Sequence, residues 1–350
     1  MKKNIIVLLL CLGASLSAQA AELELFTPPL GLDIGGVSEQ NNYSPLFPIP
    51  YVAPQLIENE GEINSGLQLK SDVVTAPKMD EEFTNEVIKL TSAPKLQSSI
   101  VLIYDEKGKR ALYTKNADNV APIASITKLM TAMVVLDARL PMDEKISISM
   151  EDADHLKGTH SRMRAGATLT RGELLQLALM ASENRAAAAL ARTFPGGTGV
   201  ALLRMNAKAK SLGMRSTRFV DPTGLNSNNV STAKDLVLMV RASQRYDLIR
   251  KFTTSTSHTV KFAKHRPLQF TNTNPLVKNA SWDIGVSKTG YITEAGRCLV
   301  MQATISKRPV IIVLLDSMGK RTRVVDAIRI KKWMESASVR GVINNGNRRG

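Results

Sequence analysis

From residue 91 onward, short apolar, β-branched blocks lie at both ends of the chain, and apolar residues recur at helical spacing in the middle. Residues 99–104 form one such block, closed by Asp105-Glu-Lys-Gly108 and resumed at 110–114, which predicts an opening β-hairpin. In residues 125–138 the apolar positions Ile126, Leu129, Met130, Met133, Val134 and Leu136 recur every three or four residues, with Pro122 just ahead. That spacing predicts a largely buried helix starting near Ser125. Similar spacing predicts helices at 171–181, 185–192, 200–212 with Gly213 as the stop, and 232–244. The pattern then reverts to β: 284–287, 296–305 and 310–316 predict adjacent antiparallel strands. Residues 323–335 predict a covering helix with Val324, Val325, Ile328 and Trp333 on its packed side. Strands at both ends of a helical middle imply an α+β domain with one sheet, spanning residues 91–338.

The segments outside that domain read differently. Residues 1–20 combine Lys2 and Lys3, an apolar run and Ala18-Gln19-Ala20, the order of a cleavable export signal with cleavage after Ala20. Residues 21–90 carry Pro28, Pro29, Pro45, Pro48, Pro50 and Pro54 without a sustained period, which predicts a poorly ordered spacer arm. Residues 339–350 read as a flexible basic tail. The expected location is therefore the periplasm.

Charge and cysteine use sharpen this picture. The formal charge of +15 becomes +13 once Lys2 and Lys3 leave with the signal. For an exported chain, that excess points to the carboxylates of wall peptides and to acidic lipid head groups, hence to peripheral membrane association. Basic residues are scattered and aromatics amount to 5%, which argues against nucleic acid. Cys11 lies in the signal, so Cys298 is left without an internal partner, and its apolar neighbours Leu299 and Val300 predict a buried structural thiol.

Three short segments carry chemistry. Ser125-Ile-Thr-Lys128 sets a hydroxyl and an amine three residues apart, on one face of a helix. Ser125 is then a candidate nucleophile and Lys128 its base, provided burial or a second cation lowers the amine's pKa. Ser182-Glu183-Asn184 falls between two helical runs, where a sharp connection projects side chains into a cleft. Lys288-Thr289-Gly290 follows one apolar strand and precedes another; a cation and a hydroxyl on an edge strand suit an extended substrate with a carboxylate, and Gly290 allows close backbone approach. Taken singly, the first two segments also suit ordinary helix capping.

Order and spacing together resemble the low-molecular-mass penicillin-binding proteins, in particular their D-alanyl-D-alanine endopeptidase branch, over residues 91–335. The flanking Ala121-Pro-Ile-Ala-Ser-Ile-Thr-Lys128, Leu179-Met-Ala-Ser-Glu-Asn-Arg-Ala186 and Asp221-Pro-Thr-Gly-Leu225 are similar to segments of that family. Glu183 stands where β-lactamases favour aspartate, which leans towards the peptidases. The resemblance implies a DD-peptidase/β-lactamase-like fold, an antiparallel sheet with helices on both faces plus a helical subdomain. It implies that Ser125 forms an acyl-enzyme, that Lys128 takes its proton, and that Ser182 passes a proton to the departing amine. Asn184 would hold the substrate amide, Lys288 and Thr289 would face a carboxylate, and the N–H groups of Ser125 and Tyr291 would hold the oxyanion. Asn272 and Asn274 are further cleft candidates. No cofactor is called for. The implied partners are peptidoglycan stem peptides and cross-links, with β-lactam antibiotics as covalent inhibitors.

Rival readings are a carboxypeptidase using the same site, a β-lactamase, a zinc peptidase and a non-catalytic wall-binding module. The polar cluster Asp152, Asp154, His155 and His160 lacks the His-Glu-x-x-His pattern, and is better read as a solvated loop. A β-lactamase of class A needs a water-activating carboxylate, usually glutamate, between its second and third motifs, and no glutamate lies between Asn184 and Lys288.

Overall fold

The structure is a computed structural model that describes residues 93–159, 161–262 and 265–336; the readings of residues 1–20, of the arm 21–90 and of 339–350 lie outside it. Its frame is a five-stranded antiparallel sheet of β1 (Ile100–Asp105), β2 (Arg110–Lys115), β3 (Asp283–Ile292), β4 (Gly296–Ile305) and β5 (Arg308–Ser317), in the order β2-β1-β5-β4-β3. The register aligns Val101 with Leu314, Met301 with Ile312, and Lys288 with Val300. Leu102, Tyr104, Val300, Ile311 and Val313 pack on one face; Val101, Ile103, Leu299, Met301, Ile312 and Leu314 pack on the other. Because both faces are covered, β1, β4 and β5 read as largely apolar runs instead of alternating ones.

The helices are α1 (Lys128–Asp137), α2 (Arg171–Gln176), α3 (Asn184–Arg192), α4 (Gly197–Ser211), α5 (Ala233–Ser243), α6 (Asp247–Thr254) and α7 (Thr322–Glu335). The core of the first face joins the sheet to α1, α3 and α5, and α1 is buried almost all round, as a helix at the centre of a domain is. On the opposite face α7 contributes Ala327, Ile330, Trp333 and Met334. The expected α+β class, antiparallel sheet, helices on both faces and helical subdomain are all present.

Several local expectations need correction. Residues 124–127 form a 3-10 turn ahead of α1, and the helix expected over 171–181 is α2 followed by a wide π turn, Leu177–Ala181. The packed side of α7 is only partly the one the pattern marked: Val324 and Trp333 do pack on the sheet, but Val325 and Ile328 are 37% and 36% exposed, whereas Asp326 is fully buried. The reason is polar. Asp326 accepts hydrogen bonds from Gln97 N, Ser98 N and Ser98 Oγ, tying the incoming chain to α7, so a carboxylate occupies an inward position. Helix α6 and the hairpin Ser257–Phe262/His265–Thr271 were not predicted: α6 is amphipathic but only eight residues long, and the Ser/Thr/Lys-rich stretch of the hairpin carries little periodicity.

Candidate active site

The three motifs meet in one cleft. Ser125 sits on the 3-10 turn Ala124–Thr127, which feeds directly into α1, so Lys128 opens the helix one turn from the hydroxyl. Lys128 is 1% exposed, and its Nζ donates to Ser125 Oγ (2.9 Å), Asn184 Oδ1 (2.7 Å) and the Thr223 carbonyl (2.6 Å). Burial pushes this amine down to about 7, against the opposing pull of Asp221, Glu183 and Asp154. Moving an amine that far from its ordinary value of 10.5 costs roughly 5 kcal/mol. Three hydrogen bonds fix the amine beside the hydroxyl, where its lowered pKa leaves a share of it as free base near neutral pH.

Ser182 ends the π turn in a left-handed conformation, φ 60°, and Asn184 begins α3 two residues later. A non-glycine residue held at positive φ is strained, and such strain persists only where the surroundings over-determine it. Here it turns Ser182 Oγ towards Lys288, whose Nζ donates to it at 2.8 Å. Asn184 contributes Oδ1 to Lys128, while its Nδ2 donates to Thr159 Oγ1 at 3.0 Å. The Glu183 carboxylate accepts from Ser161 Oγ at 2.8 Å and is raised above its ordinary value by burial.

Lys288, Thr289, Gly290 and Tyr291 lie on β3, the edge strand that the sequence anticipated. Lys288 is 1% exposed and also donates to its neighbour's carbonyl, Thr289 O, at 2.9 Å. Burial, then the charges of Lys128 and Arg323, push it well below the ordinary lysine value. Thr289 is buried, and its hydroxyl donates to Thr273 Oγ1 at 2.6 Å. Gly290 does permit a close approach, but to a different partner from the one expected. A Cβ there would lie 2.9 Å from Ile123 O and 3.2 Å from Ser125 N, so the glycine seats β3 on the nucleophile turn. Tyr291 follows, 53% exposed.

Sequence reasoning singled out the loop Asp221-Pro-Thr-Gly-Leu225 but gave it no role. Its Thr223 carbonyl holds Lys128, and Gly224, at φ 81°, lies so close that a Cβ would fall 1.9 Å from Ala124 O. Asp221 organises the loop by accepting from Thr223 N, Thr223 Oγ1, Gly224 N and Asn226 N. Fully buried Asn229 joins the loop to the nucleophile turn, donating to Thr127 Oγ1 and Asp221 O and accepting from Val220 N and Asp221 N. The Asp-x-Thr-Gly turn chemistry was a usable signal for the loop's shape. Nothing marked a backbone carbonyl as a partner of the base.

Two candidate sets fall away. Asn272 Nδ2 donates to Thr253 O and Ser255 O, and Asn274 Nδ2 to Ser287 Oγ, so both amides brace the segment before β3 instead of facing the cleft. The residue between them, Thr273, is the one that reaches Thr289. Asp152 forms a two-pronged pair with Arg192, and Asp154 caps the N–H groups of Leu156, Lys157 and Thr159; His160 lies outside the described residues. Cys298 is fully buried and its thiol is pushed up to about 11 by that burial, the inert state expected of it.

A Ser–Lys pair at the head of a buried helix, a second serine bonded to a second buried lysine, and an edge strand beside both are the working parts of the penicillin-binding serine hydrolases. The chain belongs to peptidase family S11: that family's model, described as D-alanyl-D-alanine carboxypeptidase, matches residues 88–319. A D-alanyl-D-alanine endopeptidase of Pseudomonas aeruginosa is 48% identical, covering 71% of this chain and 80% of its own. One of Escherichia coli is 47% identical with the same coverage. Among solved structures, the Streptomyces K15 DD-transpeptidase superposes with a TM-score of 0.64 at 27% identity, covering 73% of this chain and 99% of that one. Penicillin-binding protein D2 of Listeria monocytogenes, in an ampicillin-bound form, gives 0.60 at 30% identity, covering 69% and 98%. The protein is thus a serine-type DD-peptidase.

Proposed function

We propose that this enzyme is an exported, penicillin-sensitive D-alanyl-D-alanine endopeptidase that opens D-alanyl cross-links in peptidoglycan through an acyl-enzyme on Ser125. The observation that carries the mechanism is the 2.9 Å contact between Ser125 Oγ and an amine whose burial brings it to about 7. At that value a large share of Lys128 is a neutral base at physiological pH. Ser125 Oγ attacks the D-alanyl carbonyl as its proton passes to Lys128 Nζ, and the N–H groups of Ser125 and Tyr291 stabilise the oxyanion. Collapse breaks the peptide bond; the departing amine takes a proton relayed by Ser182, and water then cleaves the ester. Asn184 holds the substrate amide, while Lys288 and Thr289 receive the carboxylate, Thr289 giving up its bond to Thr273.

Endopeptidase is preferred to carboxypeptidase because the two relatives described above carry that name over most of their length. Digestion of purified cross-linked wall fragments, followed by mass analysis, tests the choice: loss of cross-linked species without free D-alanine is expected. Release of D-alanine with cross-links intact would make it a carboxypeptidase. The site also supports a long-lived penicilloyl enzyme. Of the carboxylates between the second and third motifs, Asp221 is committed to its own loop, Asp235 accepts from Ser216 N and Thr217 Oγ1, Asp247 pairs with Arg250, and Asp283 is exposed at the start of β3 opposite Thr304, five residues before Lys288. Rapid multiple-turnover hydrolysis of penicillin would contradict this. Export follows from the signal-like residues 1–20, and the basic surplus supports salt-sensitive contact with anionic wall or membrane. A mature N-terminus at Ala21, read by mass, is the expected outcome.

A further inference from the structure

A neutral amine has two hydrogens and one lone pair, and which neighbour meets which decides whether Lys128 can act on Ser125 as a base. Thr223 offers it a carbonyl and Asn184 its Oδ1, both acceptors only. They take the two hydrogens of the free base and leave its lone pair to the Ser125 hydroxyl, 2.9 Å away. An asparagine amide turned end over end keeps its shape and exchanges acceptor for donor. With Nδ2 towards Lys128, an N–H would occupy the lone pair, and Ser125 would face a hydrogen of the amine instead. The orientation of Asn184 therefore sets the direction in which the Ser125 proton can move.

That orientation is fixed from the far side of the amide. Asn184 Nδ2 donates to Thr159 Oγ1 at 3.0 Å, and Thr159 Oγ1 lies 2.6 Å from Asp154 Oδ2. Asp154 also accepts from Leu156 N, Lys157 N and Thr159 N, which closes residues 154–159 into a turn around its carboxylate. Burial pushes this carboxyl up, but the bonds from Thr159, Lys157 and Leu156 outweigh it and hold it below its ordinary value. An ionised carboxylate has no hydrogen to give. The single hydroxyl hydrogen of Thr159 therefore goes to Asp154, and only an acceptor is left for Asn184. Lys157 pairs with Glu294 on the turn that follows β3, so the Asp154 turn is held on both walls of the cleft. We propose that Thr159, its hydroxyl set by Asp154, is a positioning residue of the catalytic base: through the Asn184 amide it keeps the lone pair of Lys128 on Ser125. This rests on the assignment of Lys128 as the base made above.

The test is rapid kinetics of acylation by penicillin, which separates the dissociation constant of the initial complex from the acylation rate constant. The proteins are the wild type, Thr159→Val, Thr159→Ser, Asn184→Ala and the Thr159→Val/Asn184→Ala double variant. Valine keeps the shape of threonine and removes the acceptor, so acylation in Thr159→Val is expected to slow about three- to tenfold, the worth of one neutral hydrogen bond. Thr159→Ser, which keeps the hydroxyl, should recover most of the rate. In the Asn184→Ala background the valine should have no further effect, because the amide it acts through is gone. A rate unchanged or raised in Thr159→Val, a loss that lies wholly in the dissociation constant, no recovery in Thr159→Ser, or a loss of full size in the Asn184→Ala background overturns the proposal. If Thr159→Val does not fold, the same cycle with Thr159→Ala decides in the same way. Failure of the base assignment shows separately, as a Lys128→Met enzyme that acylates as fast as the wild type, and it takes this proposal with it.

Discussion

Two lysines, each 1% exposed and each donating to a serine hydroxyl, share the cleft, yet they stand in opposite fields. Around Lys128 are Asp221, Glu183 and Asp154, which pull its pKa back up against burial and leave it near 7. Around Lys288 the charges that register are cationic, Lys128 and Arg323, and they add to the effect of burial. The contrast separates two uses of a buried amine. Lys128 is balanced so that it takes a proton from Ser125 and gives it up again near neutral pH. Lys288 holds its proton only weakly in the empty cleft, and an arriving carboxylate supplies the missing counter-charge. Substrate binding should therefore raise the pKa of Lys288.

The largest effect is expected at the nucleophile. Ser125→Ala should abolish the penicillin adduct in intact-mass analysis and lower cross-link cleavage by roughly 10⁴-fold or more; an adduct that survives moves the chemistry elsewhere. Next is the base. Lys128→Met should slow acylation by about 10²–10⁴-fold, the range of a general base. It should also raise thermal stability at low pH. With a folded pKa of about 7 and an ordinary value of 10.5, the unfolded chain binds the extra proton between those two values, so this group's penalty is full below 7 and fades as pH rises towards 10.5. The variant's gain in Tm should be greatest at pH 6 and vanish near pH 10.5. A gain that does not depend on pH would mean that Lys128 is not depressed.

Removing the other amine should give a different signature. Lys288→Met is expected to weaken binding of D-alanyl peptides by roughly 10- to 100-fold, the worth of a charged hydrogen bond. Wild-type affinity should fall as pH rises through the Lys288 pKa, while the variant's stays flat; two parallel profiles would remove the carboxylate role. The smallest effect sharpens the contrast most. Wild-type acylation by penicillin should rise about tenfold per pH unit up to about 7 and then level off. Glu183→Gln deletes one of the three charges holding Lys128 up, so that limb should move to lower pH by a fraction of a unit. Movement to higher pH would reverse the account of the two fields.

Much of this was legible beforehand, for identifiable reasons. Strands β1, β4 and β5 stood out because burial on both faces turns a strand into an apolar block, and α1 because its apolar residues recur at helical spacing although the helix is buried almost all round. Ser125, Lys128, Ser182 and Lys288 were legible through type, order and spacing, and the fold brings them together as two bonded Ser–Lys pairs. Asn272 and Asn274 were misread, since an amide near a motif looks the same whether it faces a cleft or braces a loop. The α7 face was misread in part, at Val325 and Ile328, because Asp326 is buried by hydrogen bonds to residues more than 200 positions away, a cause that periodicity does not register.

The sequence by itself determined the class of structure, the order of the motifs and the identity of the reacting groups, because these depend on side-chain type and local spacing. Only the tertiary structure decided how those groups are tuned. Lys128 becomes a base because burial of α1 desolvates it, and the Thr223 carbonyl, 95 residues away, accepts a hydrogen bond that orients it. Ser182 reaches Lys288 because a π turn ends in a left-handed residue opposite the edge strand. The nucleophile turn is held between Gly224 and Gly290, neither of which leaves room for a side chain. Desolvation, backbone carbonyls and close backbone approach are properties of distant segments brought together, and no local pattern encodes them.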